Sequence, residues 1–263
     1  MNPSPAQPPA DRAEAAPALE YLLRIGDTCL VHGQRLAEWC GHAPVLEEDI
    51  ALANMALDLI GQARAMLTHA GAVEGAGRDE DRLAFLREER EFRNVTLVEL
   101  PRGDFAFTML RQAVMATFFS GLWEALAGSA DAELAGIAGK AVKEARYHQR
   151  HAADWVVRLG DGTEESHRRT AAALAQIWPY TAELFDTDAV DEAAAAAGLG
   201  PRWSALQPAW QQSMEALLGE ARLPLPAPRA FRSHGRRGVH SEHLGLMLAE
   251  MQHLQRAYPG GVW

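Results

Sequence analysis

Cysteine is nearly absent from this sequence, with only Cys29 and Cys40 among 263 residues. On one continuous helix the two would lie about 16 Å apart at roughly 1.5 Å per residue, too far to bridge, so no disulfide framework stabilises the chain. An excess of basic charge is also missing. The formal net charge is -10, which gives neither nucleic acid nor an anionic membrane a positive face to bind. No glycine-rich phosphate loop follows a strand pattern, which argues against a direct NAD or flavin site. Stretches of alternating polar and apolar residues with strand-forming composition are absent, as is any short-period repeat. The uncharged run QAVMATFFSGLW, from Gln112 to Trp123, falls short of the about 20 apolar residues that a membrane span needs. The opening MNPSPAQPPADRAEAAPA lacks the apolar core of a signal peptide, which points to the cytoplasm. Rich in Pro and Ala, residues 1–18 are expected to be disordered.

What remains is helix after helix. With 48% apolar residues, residues 19–263 can bury a substantial core as one domain. A first long helix is expected from Leu19 to Trp39, with Gly26 and Gly33 as weak spots, and a second from Glu47 to about Ala70. On the second, Ile50, Ala53, Leu57, Ile60 and Leu67 form one apolar stripe while Leu52, Ala56, Leu59, Ala63 and Met66 form another, which predicts burial on two sides. A short charged helix near Asp79 to Arg90 leads to a third long helix from Asp104, uncharged enough to be enclosed by others. A fourth runs from about Asp131 to Leu159. Thr163 is placed to cap a fifth, and Pro179 to kink it. Further helices are expected near Ala189 to Ala197, Pro208 to Arg222 and His240 to Arg256. The class is all-α, and two long helices on either side of a long connection are the layout of a ferritin-like four-helix bundle with additional C-terminal helices.

KEARYHQRHAADW, residues 143–155, raises the question of a metal site. Glu144, His148 and His151 are spaced by four and three and share one helix face, and two imidazoles with a carboxylate suit iron, manganese or zinc. Di-iron bundles use Glu-x-x-His on two helices and single Glu residues on two others. Here Tyr147 stands where the histidine belongs. His148 also continues the apolar line Leu134, Ile137, Ala141, Ala145, Ala152 and Trp155, as a packed core histidine would. The second helix offers Asn54 or Asp58 and no imidazole three residues on, the third offers Glu124, and the first offers Asp27 or Glu38. Glu164-x-x-His167 and Glu250-x-x-His253 fit the spacing literally, but the first lies in a capped first turn and the second outside the bundle. His240, Glu242 and His243 sit at a helix start, where an acid complements the dipole. In the Pro/Arg loop, Arg229, Arg232, Arg236 and Arg237 could hold the phosphates of coenzyme A or an acidic partner, or could simply be solvated.

Four stretches, LEEDIALANMALDLIGQARAML, FRNVTLVELPRGDFAFTMLRQ, KEARYHQRHAADWVVRLGDGTEESHRR and HSEHLGLMLAEMQHLQRAYPG, together resemble the structural C subunit of the bacterial phenylacetyl-CoA epoxidase, or phenylacetate-CoA oxygenase. They cover most of residues 20 to 258 in order. The resemblance implies a ferritin-like subunit of a multicomponent oxygenase of phenylacetate catabolism. In such a complex a homologous catalytic subunit holds the di-iron centre, a reductase supplies electrons from NADPH, and O2 epoxidises the aromatic ring of phenylacetyl-CoA, with small accessory subunits completing the assembly. It implies a non-catalytic role for this chain, with no cofactor of its own. Two other readings are open at the level of residues: a self-contained di-metal oxidase using Glu144 and His148, and a coenzyme A binding module using the basic loop.

Overall fold

The computed structural model describes residues 10–227 and 229–261. Among these, ten α-helices follow one another: α1 Ala10–Ala37, α2 Leu46–Glu74, α3 Glu80–Phe85, α4 Phe105–Leu126, α5 Ala132–Gly160, α6 Glu164–Ile177, α7 Ala189–Ala196, α8 Gln207–Glu220, α9 Glu242–Met251 and α10 His253–Ala257. Among the described residues the chain forms no strand, only an isolated bridge between His234 and Val239. The first helix extends well before Leu19, carrying Pro17 within it. Residues 1–9 of the segment expected to be disordered lie outside the described residues.

Local chemistry sets the helix starts. Asp104, Asp131, Thr163 and Asp188 have extended backbone, and each side chain accepts a hydrogen bond from an amide of the first turn, satisfying donors that a helix start leaves unpaired. Pro179 does not kink α6. The helix ends at Ile177 and the chain continues as a 3-10 segment, Trp178–Phe185, because the ring removes a donor and crowds the preceding turn. The expected last helix is divided at Gln252 into α9 and α10.

Four helices make the bundle as two hairpins, α1 with α2 and α4 with α5, joined by the long connection 75–104 and closed along the seam where α2 meets α5. The glycines of α1 are its points of closest approach. A methyl group at Gly26 would lie 3.1 Å from Leu67, and one at Gly33 would lie 3.1 Å from Ile60 and 3.2 Å from the Ala56 carbonyl oxygen, so these positions admit the facing helix. α4 runs through the middle, packed by α5, α6 and α8. Its full length makes it long and apolar enough to cross a membrane, unlike the short run read from the sequence, but 89% of its most apolar window is buried inside the protein. It is a core helix.

Buried carboxylates tie the connection and the C-terminal segment onto the bundle. Asp27, fully buried, pairs with the buried Arg87 and accepts from the Arg93 amide at 2.8 Å. Glu99 accepts from Asn94, His240 and both the amide and hydroxyl of Ser241 at 2.6 to 2.9 Å. Glu183 accepts from the amides of Thr96 and Arg236 and from the Ser233 hydroxyl at 2.6 to 2.9 Å. Charged groups removed from water require such full sets of partners.

Candidate functional site

The bundle centre is where a ferritin-like fold would carry chemistry, and here it is filled by a ladder of hydrogen bonds. Glu144 on α5 accepts from the Gln62 amide nitrogen on α2 at 2.8 Å, and Gln62 Oε1 faces the Cys29 thiol on α1 at 3.7 Å. One turn further along α5, His148 Nε2 meets Asp58 Oδ2 at 3.0 Å. Across the bundle, His32 Nε2 on α1 meets Gln112 Oε1 on α4 at 2.5 Å, and the Gln112 amide nitrogen reaches Met55 Sδ at 3.6 Å. An amide oxygen only accepts, so the neutral His32 ring carries its proton on Nε2, and Nδ1 is left buried without a partner.

Electrostatics keep both imidazoles neutral. Burial, reinforced by the Arg111 guanidinium and opposed by the Gln112 hydrogen bond, pushes His32 down to about 3. Burial likewise lowers the pKa of His148, against the pull of Asp58 and Glu144. Desolvation outweighs the nearby carboxylate because His148 is only 2% exposed.

Glu144, His148 and His151 do share a helix face, but their partners draw them apart. Glu144 turns to Gln62 and His148 to Asp58. His151 Nε2 comes within 3.0 Å of Glu48 Oε2, without the alignment of a hydrogen bond, since His151 Nδ1 and Glu48 Oε2 both lack partners. The other acids are occupied elsewhere: Asp27 by Arg87, Glu38 by Arg35 and Glu124 by Arg146. His167 Nδ1 bonds the Gly160 carbonyl, and His253 lies exposed on the last helix. Among the described residues, no three His, Cys, Asp or Glu side chains gather as a metal would need. The donor set is a poor fit to two metal ions, because Gln62 and Gln112 present neutral amides where cations call for carboxylates, and Tyr147 is 44% exposed beside the bundle.

The basic loop separates in the same way. Arg236 is 4% exposed, grips Asp191 through both carboxylate oxygens at 2.7 and 2.8 Å, and lies over the Trp203 ring. It is a buried structural arginine, which corrects its reading as a contact for phosphate or a partner. Arg237 is half-exposed and 3.7 Å from Asp188. Arg232 donates to the carbonyls of Arg229 and Phe231 on the surface. Three of the four arginines therefore remain on a solvated loop.

Sequence reasoning missed His32, Gln62 and Gln112, because an amide or a lone histidine on an apolar helix matches no ligand motif. A glutamine at Gln62, four residues after Asp58 on the same face, was the one available signal. Also unforeseen is a cleft of about 590 Å³ between α2 and α5, lined by Leu57, Asp58, Gln62, Ile137, Lys140 and Glu144 among others, which opens the Gln62–Glu144 pair to the surface.

Known proteins share this chain's pattern along its whole length. The family model described as phenylacetic acid catabolic protein matches residues 1–263. The chain is 50% identical over 243 residues to the C subunit of the 1,2-phenylacetyl-CoA epoxidase of Escherichia coli (strain K12), covering 92% of this chain and 98% of that relative. Its all-α, ferritin-like bundle accordingly belongs to the phenylacetic acid catabolic protein family.

Proposed function

We propose that this chain is the non-catalytic, structural subunit of a phenylacetyl-CoA epoxidase acting in phenylacetate catabolism. The observation that carries the reading is the amide ladder at the bundle centre. Gln62 and Gln112 hold Glu144 and His32 through amide hydrogen bonds, and these amides fill positions where a metal pair would call for anionic ligands. The relative named as the C subunit of such an epoxidase supports it. The homologous catalytic subunit then carries the di-iron centre, and a reductase delivers electrons from NADPH. The assembly works in the cytoplasm with small accessory subunits. This chain contributes a preformed bundle against which the metal-bearing helices of its relative are held in place. Coenzyme A would be left to the catalytic subunit, since the one well-anchored arginine of the basic loop, Arg236, is committed to Asp191.

The test is phenylacetyl-CoA-dependent NADPH oxidation by the reconstituted complex, normalised to intact assembly, with His148→Leu in this chain. Near-normal turnover is expected. A fall beyond about a hundredfold in assembled material would overturn the reading in favour of a metal ligand at His148, because a supporting residue costs at most about that much. Coenzyme A binding by the isolated chain would instead favour the binding-module reading.

A further inference from the structure

Helix α2 carries one apolar stripe buried in the bundle and a second whose Leu46, Ile50 and Leu57 are exposed while Ala53 and Ile60 between and beyond them are half-buried. Leu52, Met55, Ala56, Leu59, Ala63 and Met66 are buried in the bundle. Leu46, Ile50, Ala53, Leu57 and Ile60 advance by four, three, four and three residues, which is the spacing of a coiled-coil seam. Leu46, Ile50 and Leu57 are 72%, 54% and 65% exposed. Alongside on α5, Tyr147 is exposed on the face it shares with Lys140, two turns earlier. The seam leads into the cleft between α2 and α5. Gly61 and Gly136 hold the cleft open, with no atom within 4 Å of where a Cβ would stand at either. Asp58 and Glu144 lie within it and Glu133 at its rim, set against the single ammonium of Lys140. Each carboxylate has acceptor sites beyond the ones used by His148 and Gln62.

We infer that this face of α2 and α5 seats a helix of a second, different helix-bundle chain, apolar at coiled-coil spacing, which sends an arginine or lysine into the acidic cleft between Leu57 and Glu144. The inference rests on the subunit reading and gives that subunit's partner a place and a chemistry. The seam spacing calls for a helix, since knobs repeating every 3.5 residues need holes at the same repeat. The cleft's carboxylates call for a cation. A second copy of the same chain answers poorly: it would bring two acidic clefts toward one seam, and the basic residue continuing the α2 stripe, Arg64, is bonded to Glu80. An anionic membrane is a poor match to the same carboxylates.

The experiment is association of this chain with the metal-bearing subunit of the epoxidase, followed by sedimentation and titration for wild type, Leu57→Asp, Glu133→Lys and Leu246→Asp. Leu57 and Leu246 are both highly exposed, 65% and 70%, so the isolated variants should melt as wild type does. Leu57→Asp is expected to weaken association by about a hundredfold or more. Glu133→Lys should weaken it several-fold, with a reduced dependence on salt. Leu246→Asp on α9 should leave it unchanged. If Leu57→Asp associates like wild type while the wild-type pair forms normally, the docking face is overturned and the subunit reading stands. If the wild-type pair does not form, both fail. Loss of association without any effect of Glu133→Lys would overturn the basic side chain, and a self-associating chain dispersed by Leu57→Asp would overturn the choice of a different chain.

Discussion

The most apolar windows of helices α2 and α4 have the same mean hydropathy, and each helix is long enough to cross a membrane, yet their surroundings differ: 89% of that window of α4 is buried, against 44% of that of α2. The difference lies in what covers them. α4 is enclosed by α5, α6 and α8, while α2 is covered by α1 and touched along one edge by α5. Apolar composition states that a surface wants to leave water; it does not state which chain will cover it. In α4 the covering is intramolecular and serves folding. In α2 more than half of the most apolar window is left uncovered by the chain, and it is on this face that a partner helix is proposed to sit.

The comparison is broken most strongly by truncating one side chain on each helix. Phe118 on α4 is 1% exposed and meets Phe119, Phe185 and Trp203, the last at 5.0 Å between ring centroids. Phe118→Ala should cost about 3–5 kcal/mol in denaturant unfolding of the isolated chain. A cost below about 1 kcal/mol would show that α4 is not the packed axis described above.

Acid sharpens the contrast next, because the polar ladder joins the two helices to their neighbours. A buried histidine with a lowered pKa is neutral when folded and takes up a proton on unfolding. Its contribution is complete above the unfolded value of about 6.5 and is lost as pH falls toward the folded value. For His32, folded value about 3, the loss between pH 6.5 and pH 5 is about 2 kcal/mol, and His148 acts in the same direction. Unfolding free energies of wild type and His32→Leu across that range should converge as the pH falls. Parallel curves would place His32 outside this linkage.

At the α2–α5 seam the expected effect is smaller. His148→Leu keeps similar bulk and leaves Asp58, about one-third exposed, within reach of water, so the cost should be about 1 kcal/mol; a melting curve shows it. The smallest effect belongs to the uncovered stripe. Leu57→Ala should change the stability of the isolated chain by no more than about 0.5 kcal/mol, while lowering affinity for the partner. A core-sized loss in the isolated chain would mean that α2 is covered after all.

Much of the fold was legible because its signals are local. The caps Asp104, Asp131 and Thr163 stand next to the helices they start, and the uncharged face of α4 announced its enclosure. Pro179 was legible as an interruption but not as the start of a 3-10 segment, whose Trp178 and Phe185 rings pack on Trp210 far along the sequence. Both stripes of α2 were legible as apolar, and both were expected to be buried; the chain covers the second and Leu67 of the first but leaves Ile50 and Leu57 exposed, an outcome that depends on where α1 and α5 lie. Arg236 shows the same limit. Its neighbours in sequence are those of a solvated loop, and its partner Asp191 lies 45 residues away. The bundle centre was legible only as a failure of Glu-x-x-His spacing, since the groups that fill it, His32, Gln62 and Gln112, come from three helices and are defined by one another.

The most direct measurement is the iron content and oxygen consumption of the isolated chain after saturation with Fe(II) and removal of the excess. With amides at Gln62 and Gln112 and with Glu144 and His148 held by Gln62 and Asp58, well under one tightly bound iron per chain and oxygen uptake at background are expected. About two irons per chain, with Fe(II)-dependent oxygen consumption that His148→Leu abolishes, would contradict the structural role and restore this bundle as a di-metal centre in its own right.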